Sequence, residues 1–373
     1  MRIVIPLLVL SAAVPAQAVI QVGGGGFALQ AAVTAAPSGA VLVVASGQYD
    51  GFTVADKDLT IHAPNRAMII GPISATATAA TPQRTLTVTG LDVSSAFVWP
   101  ATLIPGRISA QDHLFVQNCT CEGIRVAPSV AGGSRTVVIA DTTVNPGPLG
   151  GGGVRLEWAN VVATDSSFTG GLVVTSPGTI TSTAGLSLSL CDLRAERIVV
   201  TGGSNGASNA VALGAIGSVG AIVDSQLLPG GPGAASLSWF LGPCTVWSTA
   251  MPGGGGTVLT RRLATAAWQQ RQWTPGGTSN VVLTEAPNTA MALVVSSRLV
   301  PWSTPVALET LWVGATPDWA IAGLGITDAQ GHFATAFTIP NAPALLYAPA
   351  WLSGVAFDPI PLRSTVPIGG TIL

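Results

Sequence analysis

The sequence predicts an all-β chain: a parallel β-helix followed by a small β-sandwich-like domain. Three observations lead there. Glycine and proline supply 45 and 27 of the 373 residues, which leaves little room for long helices. Short apolar strands, each ending in an acidic or amide residue and then a small one, recur at a near-constant interval. Behind that array the composition changes: all but Trp99 and Trp158 of the tryptophans lie from Trp239 onward, and this marks a second unit.

From the N-terminus, residues 1–18 read as an export signal: Arg2 is the charged start, 3–14 the apolar stretch and Ala16-Gln17-Ala18 the small-x-small cleavage site. The mature chain is then expected to begin near Val19 and to be secreted, periplasmic or held at the cell surface. Mean hydropathy is +0.55, yet a membrane span needs about 20 apolar residues in a row. The charge-free stretch 210–223 is shorter and is broken by Gly214, Gly217 and Gly220, so no transmembrane segment is expected in the mature chain. Only 9% of residues are charged, the net charge is −2, and the longest basic run is Arg261-Arg262, which argues against nucleic acid as a partner. Lys57, the one lysine beside fourteen arginines, reads as codon bias. Cys119, Cys121, Cys191 and Cys244 would meet an oxidising compartment, where one or two disulfides can form, with a pairing the sequence leaves open.

The array itself is centred on Asn118, Asp141, Asp165, Cys191 and Asp224, in steps that are nearly even at first and longest at the last, and Asp92 extends the register backward by one step. A unit of this length, holding two or three strands, cannot bury its apolar face alone. Stacked coils can, because each strand pairs in parallel with its counterparts about 4.8 Å above and below. An ordinary β-sandwich with evenly spaced strands is the competing architecture.

Residues 27–64, FALQAAVTAAPSGAVLVVASGQYDGFTVADKDLTIHAP, carry a helix-like segment at 27–36, a Pro37-x-Gly39 turn and a strand ending in Gly47-x-Tyr49. This stretch resembles the opening of secreted right-handed parallel β-helix proteins of the pectate-lyase-like superfold. The resemblance implies a right-handed parallel β-helix over 19–230 with an N-terminal capping helix, which would cover interior and strand edges otherwise left open. Residues 231–279 then read as a Gly/Pro-rich linker with a short helix over 260–273. Segments such as NVVLT, MALVVSS and HFATAFTIP make 280–373 a sandwich-like module. Within it, 328–359 resembles uncharacterised C-terminal modules of secreted bacterial proteins, which implies no activity.

The superfold hosts lyases, glycoside hydrolases and non-catalytic adhesins, so the fold decides no function. The resemblance implies, for its lyases, carboxylates holding calcium with an arginine base, and for its hydrolases close aspartates in Asn-x-Asp and Asp-Asp pairs with Gly-His-Gly. None of those pairs or that tripeptide occurs, and His62 and His113 lack flanking glycines. Asp141, Asp165 and Asp224 fall at equivalent turns, where Asp accepts backbone N–H groups. Asp56 and Asp58 bracket Lys57 and could form a calcium pair, but calcium takes six to eight oxygens, and a solvated turn explains them. In VRLEW, the alternation puts Arg155 and Glu157 on one outer face, and Arg194 and Glu196 repeat the pattern in the next coil. These four are the glycan-binding candidates, with a surface ion-pair ladder as the structural alternative. The Gly-x-Ser-x-Gly match at 202–206 needs a strand-to-helix elbow and a following acid and histidine. Cys119-x-Cys121 is poor for zinc, since no second pair or nearby histidine completes it, and Asn118-Cys119-Thr120 matches a glycosylation sequon. Glycines 23–26 and 150–153 lack the Lys-Ser/Thr of a phosphate loop. The expectation is an extracellular β-helix with a structural, adhesive or glycan-binding role towards a polysaccharide or cell-surface glycan, with no catalytic residue, metal or cofactor assigned. The alternative is a polysaccharide lyase or glycoside hydrolase with a non-standard site, the lyase being the case that would bring in calcium.

Overall fold

The computed structural model describes residues 17–77, 84–98, 102–104, 106–127, 135–147, 152–176, 179–205, 208–223, 225–240, 244–247, 265–268, 273–297, 319–357, 362–365 and 367–372. Residues 1–16, most of the expected export signal, lie outside the described residues. The chain divides into two compact units, one spanning residues 17–260 and the other containing 261–373. Among the described residues no helix is long and apolar enough to cross a membrane.

The first unit is a parallel β-helix with three faces. Strand Leu59–Thr76 shows one coil complete: its start pairs on face I with Ala40–Val44, its middle on face II with residues 48–50, and its end on face III with residues 52–55 on one side and Arg107–Ala110 on the other. On face I the register runs Val19, Val41, Thr60, Thr87, Phe115, Val138, Val162, Arg194, Ala221, Thr245, each residue beside its counterpart in the next coil. Inward columns are aliphatic: Leu42, Ile61, Val88, Val116 and Ile139 on face I, and Ile73, Ile108, Ile124, Val154 and Leu186 on face III. All are 1% exposed or less, and each contributes about 1.5–3 kcal/mol by leaving water. Face I is buried on its outer side too, with Val41, Val138 and Val162 at 2% or less. Strand Arg135–Ala140 is accordingly apolar through most of its length rather than alternating.

The recurring acidic-then-small pattern turns out to be a corner. Between faces I and II one residue per coil adopts the left-handed conformation: Asn118, Asp141, Asp165 and Arg197. Their N–H groups donate to Ala140, Thr164, Glu196 and Val223, one coil onward. The small residue that follows serves the buried backbone. Thr142, Ser166 and Ser225 each donate to the carbonyl two residues earlier, at 2.8, 2.7 and 2.6 Å. Ser166 and Ser225 also accept from the preceding coil: Thr142 N–H donates to Ser166 Oγ and Ile198 N–H to Ser225 Oγ, both at 3.1 Å. This ladder pairs donors that burial would otherwise leave unsatisfied.

The register corrects the sequence alignment at one coil. Arg197, the next left-handed residue after Asp165, occupies the corner expected for Cys191. Cys191 instead follows Leu190 at the corner between faces III and I, stacked with Trp158 and Gly217. A hairpin, Leu172–Ser176 with Thr179–Ser182, lengthens that coil and accounts for the shift. Asp92 also lies past the corner, beside Thr120 on face II, and Asp224 falls outside the described residues.

The expected N-terminal helix is present as Ala28–Ala35, with Leu29 and Val33 buried. Its contact with the strand Gln48–Ala55 imitates strand pairing: Gln30 Oε1 accepts Thr53 N–H at 2.8 Å while Gln30 Nε2 donates to Thr53 O at 3.3 Å. Lys57 closes the helix C-terminus, donating to Val33, Thr34 and Ala36 carbonyls at 3.1, 3.2 and 2.9 Å. A cation there opposes the partial negative charge of the helix end, so the lone lysine has a structural role that codon bias does not account for. Tyr49, of the Gly-x-Tyr signature, donates to Ala45 O at 3.1 Å from a buried position.

The stack runs beyond the expected boundary at residue 230. Leu237–Phe240 pairs in parallel with Leu213–Ile216, and Cys244–Trp247 with Val219–Val223. Trp239 and Trp247, which pulled the composition boundary forward, belong by their backbone to this last coil. Thr265–Trp268, inside the segment expected as a helix, is a strand antiparallel to Thr278–Thr284, since an available sheet edge outweighs weak helix propensity. The second unit joins that strand pair and His332–Thr338 into one antiparallel sheet. A five-stranded sheet holds Trp319–Ile326, Ala290–Ser296, Pro349–Ala356, Arg363–Ser364 and Ile368–Thr371. Trp273, Leu283, Met291, Leu293 and Leu352 share their core, and a buried ion pair joins Arg363 to Glu285 at 3.0 Å.

Candidate functional site

The four predicted glycan-binding residues do not form one site. Arg155 and Glu157 project from face III, between and beyond buried Val154 and Leu156, and pair with each other at 3.0 Å. The next coil sets Ser187 and Ser189 beside them. Arg194 and Glu196 lie on face I, beside Val162 and Thr164. Glu196 is fully buried and bonded to Arg197, which also holds Asp165 through two contacts at 2.9 and 3.0 Å. The alternation expected within VRLEW holds, but the inserted hairpin puts the second pair of residues on another face.

Other carboxylates are committed to the scaffold. Asp58 accepts Thr85 N–H at 2.8 Å and faces Arg84 at 3.4 Å, and Asp56 holds the left-handed conformation. Glu122 accepts Ser95 N–H at 3.0 Å, Gly106 N–H at 2.9 Å and the Ser95 hydroxyl. Among the described residues no group of three or more His, Cys, Asp or Glu side chains converges as metal ligands. Cys119, Cys121 and Cys191 are buried free thiols. Burial pushes the Cys119 thiol up to about 11 and also raises Cys121 and Cys191. His62 and His113 are held below the ordinary histidine value by burial, and His113 Nδ1 accepts Thr136 N–H at 2.8 Å. At 202–205 the chain leaves strand Val199–Thr201 into a Ser204–Asn209 antiparallel bridge rather than a helix, so the nucleophile elbow is not formed; Gly206 is outside the described residues.

Face III carries an arrangement that composition does not reveal. Arg125 and Arg155 are direct neighbours on adjacent strands, about 4.8 Å apart at their backbones. Both are exposed. Arg107 begins the strand of the coil before, opposite Gly123. A Cβ on Gly123 would lie 3.5 Å from Arg107 Nε and 3.4 Å from Gly153 O, so the bare glycine is where the Arg107 stem rests. Gly153 has φ +91, and a Cβ there would meet Ala184 O at 2.5 Å, which keeps this position bare as well. Burial, and then the charge of Arg125, hold the Arg107 pKa below its ordinary value. The signal for this cluster was present as a repeat, Gly-Ile-Arg-Val at 123–126 and Gly-Val-Arg-Leu at 153–156. Beside the column, the corner after face III presents Trp158 and Leu190, and next to it Ile216, at 39%, 45% and 56% exposure. Trp158 and Leu190 are successive corner residues, since Trp158 N–H donates to Ser189 O; Leu190 N–H donates to Ile216 O, so Gly217 takes the corner in the next coil and Ile216 is the strand residue just before it, in register with Ser189. The result is an apolar ridge parallel to a polar column of Arg125, Arg155 and Ser187, both running along the stack axis.

No protein-family profile and no curated protein matches this chain.

Proposed function

We propose that the chain is an extracellular, non-catalytic β-helix of the pectate-lyase-like kind that binds glycan along face III and serves adhesion or surface structure. The observation that carries this reading is the ridge of Trp158, Leu190 and Ile216 beside the Arg125, Arg155 and Ser187 column. Sugar chains present apolar C–H patches next to hydroxyls, and an exposed indole with neighbouring charge-assisted donors suits both. The commitment of Asp58, Asp165, Glu122 and Glu196 to backbone or arginine partners favours binding over turnover, because hydrolysis needs two available carboxyls about 5–9.5 Å apart. Export fits the signal-like 1–18 segment.

The test is retention of the mature chain on immobilised polysaccharides together with a turnover assay on the same glycans. Binding that Trp158→Ala weakens, with no new reducing ends or unsaturated products, is the expected result. Calcium-dependent release of unsaturated uronates, abolished by Arg155→Ala or Arg194→Ala, would establish the lyase reading instead. N-terminal sequencing of exported protein should begin near Val19; material still starting at Met1 would remove the export claim.

A further inference from the structure

We infer that the mature chain pairs head to head with a second copy of itself through the open edge of its first strand, Val19–Val22, in an antiparallel two-fold arrangement centred on Gln21. Among the described residues this strand has one partner, Ala40–Val44. Val41 N–H donates to Ala18 O and Ala45 N–H to Val22 O, both at 2.8 Å. Backbone groups alternate sides along a strand, so Ala18, Ile20 and Val22 serve that neighbour while Val19, Gln21 and Gly23 turn their N–H and C=O groups away from it. Val19 and Gln21 are exposed, and a Cβ on Gly23 would meet nothing within 4 Å. On face III the same end of the stack is closed, because Gln30 of the capping helix bonds both the N–H and the C=O of Thr53. Nothing equivalent closes face I among the described residues. Exposed edges are commonly guarded by a lysine, a proline or a bulge, yet residues 17–49 hold no charged side chain, and their one proline, Pro37, lies beyond the helix. Two identical ends therefore meet without like-charge repulsion. A two-fold axis at Gln21 sets Gln21 opposite itself and Val19 opposite Gly23, so the out-turned groups of each strand find donors and acceptors on the other. The two Gln21 amides also face each other as donor and acceptor. Phe27, 78% exposed, and Val19, 47% exposed, add at this end the apolar area that so short a ladder needs. The paired copies carry two face III ridges, which raises avidity in an adhesive role, but the pairing does not depend on what face III binds.

The experiment follows the mass of the exported chain, its N-terminus confirmed near Val19, by sedimentation equilibrium over a range of concentration. A dimer that dissociates on dilution is expected. Gln21→Lys, which sets two ammonium groups across the axis, is expected to weaken association about tenfold and to recover part of the loss at high salt. Gln21→Pro, which lacks the out-turned N–H, should be monomeric. Asn145→Lys, at an exposed position on face II, is the charge control and should leave association unchanged. Circular dichroism of each variant confirms folding. Gln21→Cys is expected to give an intermolecular disulfide with oxidised glutathione, because hydrogen-bonded partners on antiparallel strands lie about 5.5 Å apart at Cα, within disulfide range. Val19→Cys, set opposite Gly23, should not. A monomer at every concentration would overturn the inference. So would a dimer that survives both Gln21→Lys and Gln21→Pro, or cross-linking through Val19→Cys but not through Gln21→Cys.

Discussion

Arg197 grips Asp165 across one coil step, its Nε and Nη2 reaching the two carboxylate oxygens at 2.9 and 3.0 Å. The same guanidinium bonds Glu196, whose side chain is fully buried. One cation therefore neutralises two carboxylates, one at the surface and one inside.

Removing that cation should be costly. Arg197→Ala is expected to destabilise the first unit by about 3 kcal/mol, because it leaves the Glu196 carboxylate buried without its partner. Asp165→Asn should cost much less, since the outer pair is partly solvated. Adding Glu196→Gln to Arg197→Ala should recover part of the loss. Urea unfolding of these variants beside the parent chain measures this, and additive losses in the double variant would show that Glu196 does not depend on Arg197.

Buried His62 and half-buried His113 set an acid limit. Both have native pKa values below 6.5, so the unfolded chain takes up protons first as pH falls. Stability is then full above 6.5, declines as pH drops through the native values, and levels off below them. His113 faces Asp112, Arg135 and Asp58, and burial outweighs all three. His113→Gln, which keeps an acceptor for Thr136 N–H, should flatten the decline. Denaturation midpoints across this range check it, and an unchanged slope would count against His113.

Lys57→Ala should cost about 1 kcal/mol by leaving three helix-end carbonyls without their donor. Lys57→Arg should not restore it, because a planar fork does not converge on three carbonyls as an ammonium does. Loss of stability in the alanine variant with full recovery in the arginine variant would contradict this account.

Cys119 occupies the same corner position as Thr142 and Ser166, with Sγ 3.2 Å from Gln117 O and 3.5 Å from Leu91 N. Cys119→Ser should therefore be nearly neutral, whereas Cys119→Val should cost about 1–3 kcal/mol by stranding a buried N–H. Native protein should react slowly with a thiol reagent at neutral pH and rapidly once unfolded, since burial raises the thiol pKa to about 11.

The parts of the fold legible in the sequence were those where a local rule repeats. Asp141-Thr142 and Asp165-Ser166 recur at one coil length because each pair builds the same corner, and the strand alternation around Arg155 follows from the pleat. The rule failed where a different residue fills the same geometry. Arg197 takes the left-handed corner with no acidic residue to mark it, while Cys191 mimics the small residue of a corner on another face. That substitution misplaced Arg194 and Glu196, whereas the neighbour relation of Arg125 and Arg155 depends on pairing between coils, which the 123–126 and 153–156 repeat signals only once their register is known.

The corner ladder also bears on how such a chain can change in length by inheritance. Asp141 and Asp165 begin equivalent stretches, and the bonds of each corner are made to the coil on either side in the same way. Excising 141–164 would bring Ala140 directly onto Asp165 and leave strand Gly123–Val126 facing Leu186–Ser189, with the interior columns still aliphatic. Genes of this design can gain or lose whole coils without rebuilding a core, and each event lengthens or shortens the track of side chains along face III by one position.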